Sequence, residues 1–183
     1  MILPIYTYGN AVLRKQAEPI AADYPELNTL ITNMYDTMYK AEGVGLAAPQ
    51  IGLAIRLLVI DLVAYKEDNP ELGAFKVAMI NPIILERSEE EVSAEEGCLS
   101  IPGIHENVLR AEHIKIKYQD ADFKEYIEEF EGFKARVVQH EYDHLEGHLF
   151  TDRVSPIRRQ LLKSRLTSIV KGKTSCDYKV KKA

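Results

Sequence analysis

The run Gln139-His140-Glu141-Tyr142-Asp143-His144 holds two histidines four residues apart, with a glutamate directly after the first. On an α-helix, residues i and i+4 lie one above the other on one face, so both imidazoles can reach a single metal ion. Glu141 sits beside that face, where a carboxylate can serve a water molecule as general base without being a ligand. A lone histidine is ordinarily a surface or satisfied core residue. Two at helical spacing around a glutamate point instead to metal-assisted hydrolysis.

These side chains need a helix to align them. From Phe133 to Leu145 there is no Gly or Pro, and Phe133, Val137, Val138 and Leu145 fit a 3.6-residue period with the histidines. Gly147 supplies a stop. His140 and His144 share a stripe with Phe133 and Val137, so the ligands are expected on the core side of a buried helix.

A catalytic site of this kind needs a third protein ligand and an open position. In the metzincin pattern a further histidine follows six residues after the second; here that position is Phe150. A glutamate from a later helix is the other option, and no Glu follows Glu146. Upstream, Glu95-Glu96-Gly97-Cys98-Leu99-Ser100 reads as a Gly-containing turn carrying a thiol. Thiolate binds zinc or ferrous iron well, and mixed sulfur and nitrogen sites are catalytic elsewhere, so Cys98 is the candidate third ligand.

The remaining elements frame this motif. A helix is expected over Pro25 to Glu42 with Leu27, Leu30, Ile31, Met34 and Met38 as its apolar face. Asn10 to Glu18 reads as a short helix or turn. Ile55 to Leu62 reads as a strand buried on both faces, and Val77 to Ile80 and Ile83 to Glu86 as two short strands around Asn81-Pro82. Ile114, Ile116 and Tyr118 alternate with polar residues, with Glu125 to Glu131 as the hairpin partner. Pro156 opens a last helix to about Val170, with Ile157, Leu161, Leu162, Leu166 and Ile169 on one side. The expected class is α+β: short antiparallel strands packed around a central His-Glu-x-x-His helix, with an N-terminal and a C-terminal helix.

A chain of 183 residues suits one domain, expected over 1–170 with a basic, mobile tail at 171–183. No stretch approaches a membrane span, and no signal peptide is evident, so a cytoplasmic monomer is expected. Cys98 and Cys176 are expected unpaired in a reducing compartment, with a disulfide between them as the alternative. Residues 153–183 carry a net +9 against −14 for the rest, a distribution able to attract a polyanion such as RNA or only to solubilise the tail.

Three segments, in order, resemble the three motifs of the peptide deformylase family: Gly43-Val-Gly-Leu-Ala-Ala-Pro-Gln50, Glu96-Gly-Cys-Leu-Ser100 and Gln139-His-Glu-Tyr-Asp-His144. The similarity runs from the Ile5-to-Glu18 region through about Asp152. The resemblance implies hydrolysis of the formyl group from the N-formylmethionine of nascent bacterial-type polypeptides. It also implies one divalent metal ion, usually Fe²⁺, with Zn²⁺, Ni²⁺ or Co²⁺ able to occupy the site. On that basis Cys98, His140 and His144 are the expected ligands and Glu141 the general base that passes a proton to the departing amine. The Gln50 side-chain amide and the Leu99 backbone N–H are the implied oxyanion donors. Val44, Gly45 and Gly97 are implied to pair with the substrate backbone like an added strand. For the methionine side chain, Val44, Phe133 and Val137 are candidate pocket residues, with core packing as the alternative. Gln139 and Asp143 flank the ligands and are candidates to orient them. Where some family members carry Arg, this chain has His105, which puts that substrate contact in doubt. Some bacterial relatives dock on the ribosome through a C-terminal helix, and the basic C-terminus is compatible with that. A metallopeptidase, and a structural-metal module that contacts RNA, remain the competing readings at this point.

Overall fold

In the computed structural model, which describes residues 1–183, the strands are β1 (Ile5–Tyr6), β2 (Gly45–Ala47), β3 (Leu57–Asp61), β4 (Lys76–Arg87), β5 (Glu91–Cys98), β6 (Ile101–Ala111), β7 (His113–Gln119), β8 (Glu125–Glu131) and β9 (Val180–Lys181). The helices are α1 (Leu27–Lys40), the single turn α2 (Pro70–Gly73), α3 (Gly132–Leu145) and α4 (Pro156–Val170). Helix and sheet are mixed. An antiparallel sheet of order β2-β3-β4-β7-β8 forms the frame, β5 and β6 make a separate hairpin, and the chain ends meet in a parallel β1–β9 pair.

All of β3 is buried because the sheet is covered on both faces. Successive side chains of a strand point to opposite sides. Leu58 and Ile60 accordingly pack with Ile116, Val137 and Val138 under α3, whereas Leu57 and Val59 pack with Ile31, Met34 and Met38 under α1. A third cluster, around Ile101, Ile104, Phe150, Leu162, Leu166 and Ile169, joins the β5–β6 hairpin to α4. Helix α3 therefore lies between the sheet and β6.

Several local expectations need correction. Asn81-Pro82 does not separate two strands; β4 runs through it, with a register shift against β7 between Ile80 and Ile83. A bulge tolerates Pro82, which has no N–H for the ladder. Asn81 takes a left-handed φ of 51° there, and its side chain bonds both the N–H and C=O of Ile20. The segment around Cys98 is not only a turn. Glu91 to Cys98 is strand, and the connection to β6 is Leu99-Ser100 alone. The apolar side of α4 is also narrower than the sequence suggests. Leu162, Leu166 and Ile169 are buried, but Ile157 and Leu161 are 75% and 64% exposed. Residues 171–183, expected to be mobile, run back along the body to form β9, where Tyr178 supplies an apolar anchor and Val180 pairs with Ile5 in an otherwise basic stretch.

Candidate metal centre

Cys98 stands at the end of β5, and His140 and His144 project from successive turns of α3. One donor atom from each lies within 4.8 Å of the others. Cys98 Sγ is 3.3 Å from His144 Nε2. The Nδ1 of His140 lies 2.9 Å from Glu96 Oε2, an acceptor when ionised, so Nδ1 carries the proton and Nε2 is left for an ion. His144 is fully buried and the His140 side chain is 11% exposed, and one sulfur with two nitrogens is a donor set suited to Zn²⁺, Fe²⁺, Co²⁺ or Ni²⁺. Three protein donors also leave a coordination position open. The residues therefore fit a catalytic divalent ion.

Glu141 is 4% exposed, and its Oε2 has no hydrogen-bond partner. Burial pushes its carboxyl up to about 7, against the charges of His140 and Arg110, which pull it down. Burial, reinforced by His140, drives His144 down to about 3 and keeps it neutral. Burial also opposes charge on His140, but the neighbouring Cys98 and the hydrogen-bonded Glu96 outweigh it and raise that group.

Glu96 is fixed from three sides. Arg110 donates to it at 2.6 and 2.9 Å, Arg136 at 2.8 Å, and His140 completes the set. Burial would raise the Glu96 carboxyl; Arg110 and His140 hold it well below the usual range. Arg110 also donates to Asp143, which takes two further bonds from Arg153. Asp143 is buried and thus reaches His140 through Arg110 and Glu96. Gln139 instead donates to the Ala111 and Ala135 carbonyls and ties α3 to β6.

The first motif closes over this centre. Gln50 accepts from the Ala47 N–H at 2.8 Å, which turns its amide nitrogen toward Cys98 Sγ at 3.5 Å and Ser100 Oγ at 3.3 Å. A side-chain carbon on Gly45 would lie 2.8 Å from Glu141 Cγ, and one on Gly43 would lie 2.8 Å from Leu99 Cδ1. Gly45, expected to pair with the substrate backbone, thus also makes room for the base, and Gly43 makes room for Leu99. Gly97 pairs with His105 across the hairpin, and a side chain on it would strike the imidazole.

A cavity of about 840 Å³ opens at the centre, lined by Val44, Gly45, Gln50, Gly97, Cys98, Leu99, His105, Phe133, Val137, His140 and Glu141. Phe133 and Val137 do come together there with Val44. Tyr65 meets Phe133 edge-on at 4.9 Å, and it and Ser175 to Tyr178 of the C-terminal segment line the cavity without having been singled out in the sequence. Nothing local marks Tyr65; the tail residues lie far from every motif. His144 lies outside the lining, one turn deeper.

A family model described as polypeptide deformylase matches residues 2–160. The chain is 48% identical over 188 aligned positions to the peptide deformylase of Christiangramia forsetii, covering 99% of this chain and 96% of the relative. It is equally identical to that of Flavobacterium psychrophilum, with 99% and 97% covered. Among solved structures, a peptide deformylase from Legionella pneumophila superposes with a TM-score of 0.82 at 40% identity, over 94% of this chain and 98% of that one. The Thermotoga maritima peptide deformylase gives 0.77 at 45% identity, over 85% and 99%.

Proposed function

The chain belongs to the peptide deformylase family, and we propose that Cys98, His140 and His144 hold its divalent metal while Glu141 moves the proton. The enzyme is a metal-dependent hydrolase that removes the formyl group from the N-terminal formylmethionine of newly synthesised polypeptides and releases formate. The observation that carries the residue assignment is the convergence of three donor atoms within 4.8 Å beside a buried, unpartnered carboxylate oxygen.

The bound ion supplies Lewis acidity, which makes water nucleophilic near neutral pH. Glu141 takes the proton from the attacking water and delivers it to the amine as the C–N bond breaks. Burial strengthens Glu141 as a base, which suits a group that first takes a proton and then gives it up. The Gln50 amide nitrogen and the Leu99 N–H donate to the oxyanion that develops on the formyl oxygen. Gln50 is already turned for this by its bond from Ala47. Val44, Gly45 and Gly97 pair with the substrate backbone, and Val44, Phe133 and Val137 receive the methionine side chain. A formyl carbon bears only hydrogen, so a narrow site excludes bulkier acyl groups.

Residues 1–170 form one α+β catalytic domain around the motif helix, and the basic segment 171–183 packs back onto it through β9. The ion is Fe²⁺ in the cell, and the enzyme works as a cytoplasmic monomer. No helix is long and apolar enough to cross a membrane. The basic C-terminal segment gives it a contact with the ribosome. Formate release from N-formyl-Met-Ala-Ser by the metal-loaded protein tests the site; metal bound at one ion per chain with no formate above the metal-free control would refute the assignment.

A further inference from the structure

The connection Leu99-Ser100 carries the Cys98 ligand on one side and a proposed oxyanion donor within it. A two-residue hairpin connection has few ties of its own. Here both ends of the chain hold it. Tyr178, on the C-terminal segment, donates its hydroxyl to the Leu99 carbonyl at 2.7 Å, and the Tyr8 N–H donates to the Ser100 carbonyl at 2.8 Å. Gln50 adds the bond to Ser100 Oγ at 3.3 Å.

The two tyrosines are delivered together by the β1–β9 pair. Its register sets Ile5 against Val180 and Tyr6 against Lys181. The Ile5 N–H donates to the Lys179 carbonyl at 2.9 Å, the Thr7 N–H to the Lys181 carbonyl at 3.1 Å, and Asn10 Nδ2 to the same carbonyl at 3.0 Å. Tyr178 and Leu99 pack on the same cluster, around Ile5 and Ile51. Just before Tyr178, Ser175, Cys176 and Asp177 line the catalytic cavity.

We propose that the C-terminal strand is part of the catalytic apparatus: Tyr178 is a positioning residue that fixes the Leu99 peptide, and Ser175 to Asp177 form a wall of the substrate cleft. Holding the Leu99 carbonyl fixes the Leu99–Ser100 peptide plane; the Leu99 N–H lies in the preceding plane, which is then confined between that fixed plane and Cys98 anchored in β5. Electrostatic stabilisation of an oxyanion depends on donors that are aimed before the reaction, so loosening this peptide slows turnover more than it weakens binding. The inference rests on the proposed role of the Leu99 N–H in deformylation.

The test is Tyr178→Phe in the full-length, metal-loaded enzyme, assayed by formate release from N-formyl-Met-Ala-Ser. Loss of one neutral hydrogen bond should lower kcat about tenfold, with KM within about twofold, unchanged metal content and a thermal midpoint close to wild type. A variant ending at Lys173 should show the same fall in kcat and a raised KM, because the wall is gone. The double variant Gln50→Ala/Tyr178→Phe should lose less than the product of the two single factors if both act on one oxyanion. Unchanged kcat in Tyr178→Phe, a fall in kcat accompanied by lost metal, or fully multiplicative factors would each overturn the inference. Failure of the wild type to release formate would instead strike the deformylase assignment itself.

Discussion

Glu141 carries the sharpest distinction at the scale of single residues. It is next to His140 in the chain, yet its carboxylate is not among the three converging donors, and one oxygen has no partner. Glu141→Ala should therefore keep about one metal ion per chain while kcat falls on the order of 10² to 10⁴-fold, the range for losing a general base. Metal analysis beside the formate assay checks this; loss of metal would make Glu141 a ligand or a structural residue. Gly45 gives a second test. A methyl group there would overlap Glu141 at 2.8 Å from Cγ. The overlap reaches Cγ as well as the carboxylate of a buried side chain, so Gly45→Ala should also lower the denaturation midpoint. The misplaced base should cost about 10-fold to 100-fold in kcat, since small displacements of catalytic groups are expensive. Both residues were visible in the sequence, Glu141 from its spacing and Gly45 from its motif. That they touch each other was not, because the contact joins β2 to α3 across almost a hundred positions.

Between elements, a buried chain of charges fastens the β5–β6 hairpin to α3. Arg110 on β6 bridges Glu96 on β5 and Asp143 on α3, with its side chain 2% exposed. Arg110→Ala would leave two buried carboxylates short of their partner, and Arg136 and Arg153 replace only part of it. Breaking such a network costs about 3–5 kcal/mol. Urea unfolding followed by circular dichroism should show that loss in the midpoint. Glu96 also orients His140, so metal affinity should fall about 10-fold to 100-fold, readable by competition with a chelator. A variant with unchanged midpoint and affinity would show that the network is dispensable. Regular elements were largely legible: α1, α3, α4, β3, β7 and β8 follow from period and punctuation. The hairpin that presents Cys98 was not. Glu91-Val-Ser-Ala-Glu-Glu-Gly-Cys98 is polar and half exposed, so its strand character comes from pairing with β6 and from the arginines beneath it. The outward placement of Ile157 and Leu161 was equally hidden, because periodicity cannot say how far around α4 the neighbouring elements reach.

For the molecule as a whole, the uneven charge read from the sequence is partly neutralised in the fold. Arg153 binds Asp143 and Arg158 binds Glu106, so the basic C-terminal region is stitched to the acidic body. The same stitching joins the N-terminal turn Ala11–Arg14 to Phe150–Asp152, where Arg14 donates to Asp152 at 2.5 and 3.2 Å and the Leu149 N–H donates at 2.8 Å. Burial alone would raise the Asp152 carboxyl, but these donors prevail and lower it below its ordinary 3.8. A folded-state pKa below the unfolded value means that the unfolded chain binds the proton more readily. The stabilisation is therefore complete above about pH 4 and disappears as pH falls through the lower, folded-state value. Asp152→Asn cannot ionise and should lack this component. Urea unfolding of both proteins at several pH values between about 2 and 7 should show the variant less stable near neutrality, a flatter acid limb for the variant, and the two curves converging at the lowest pH. Parallel curves across the whole range would mean that Asp152 contributes by geometry alone and that the acid limb belongs to the other buried carboxylates.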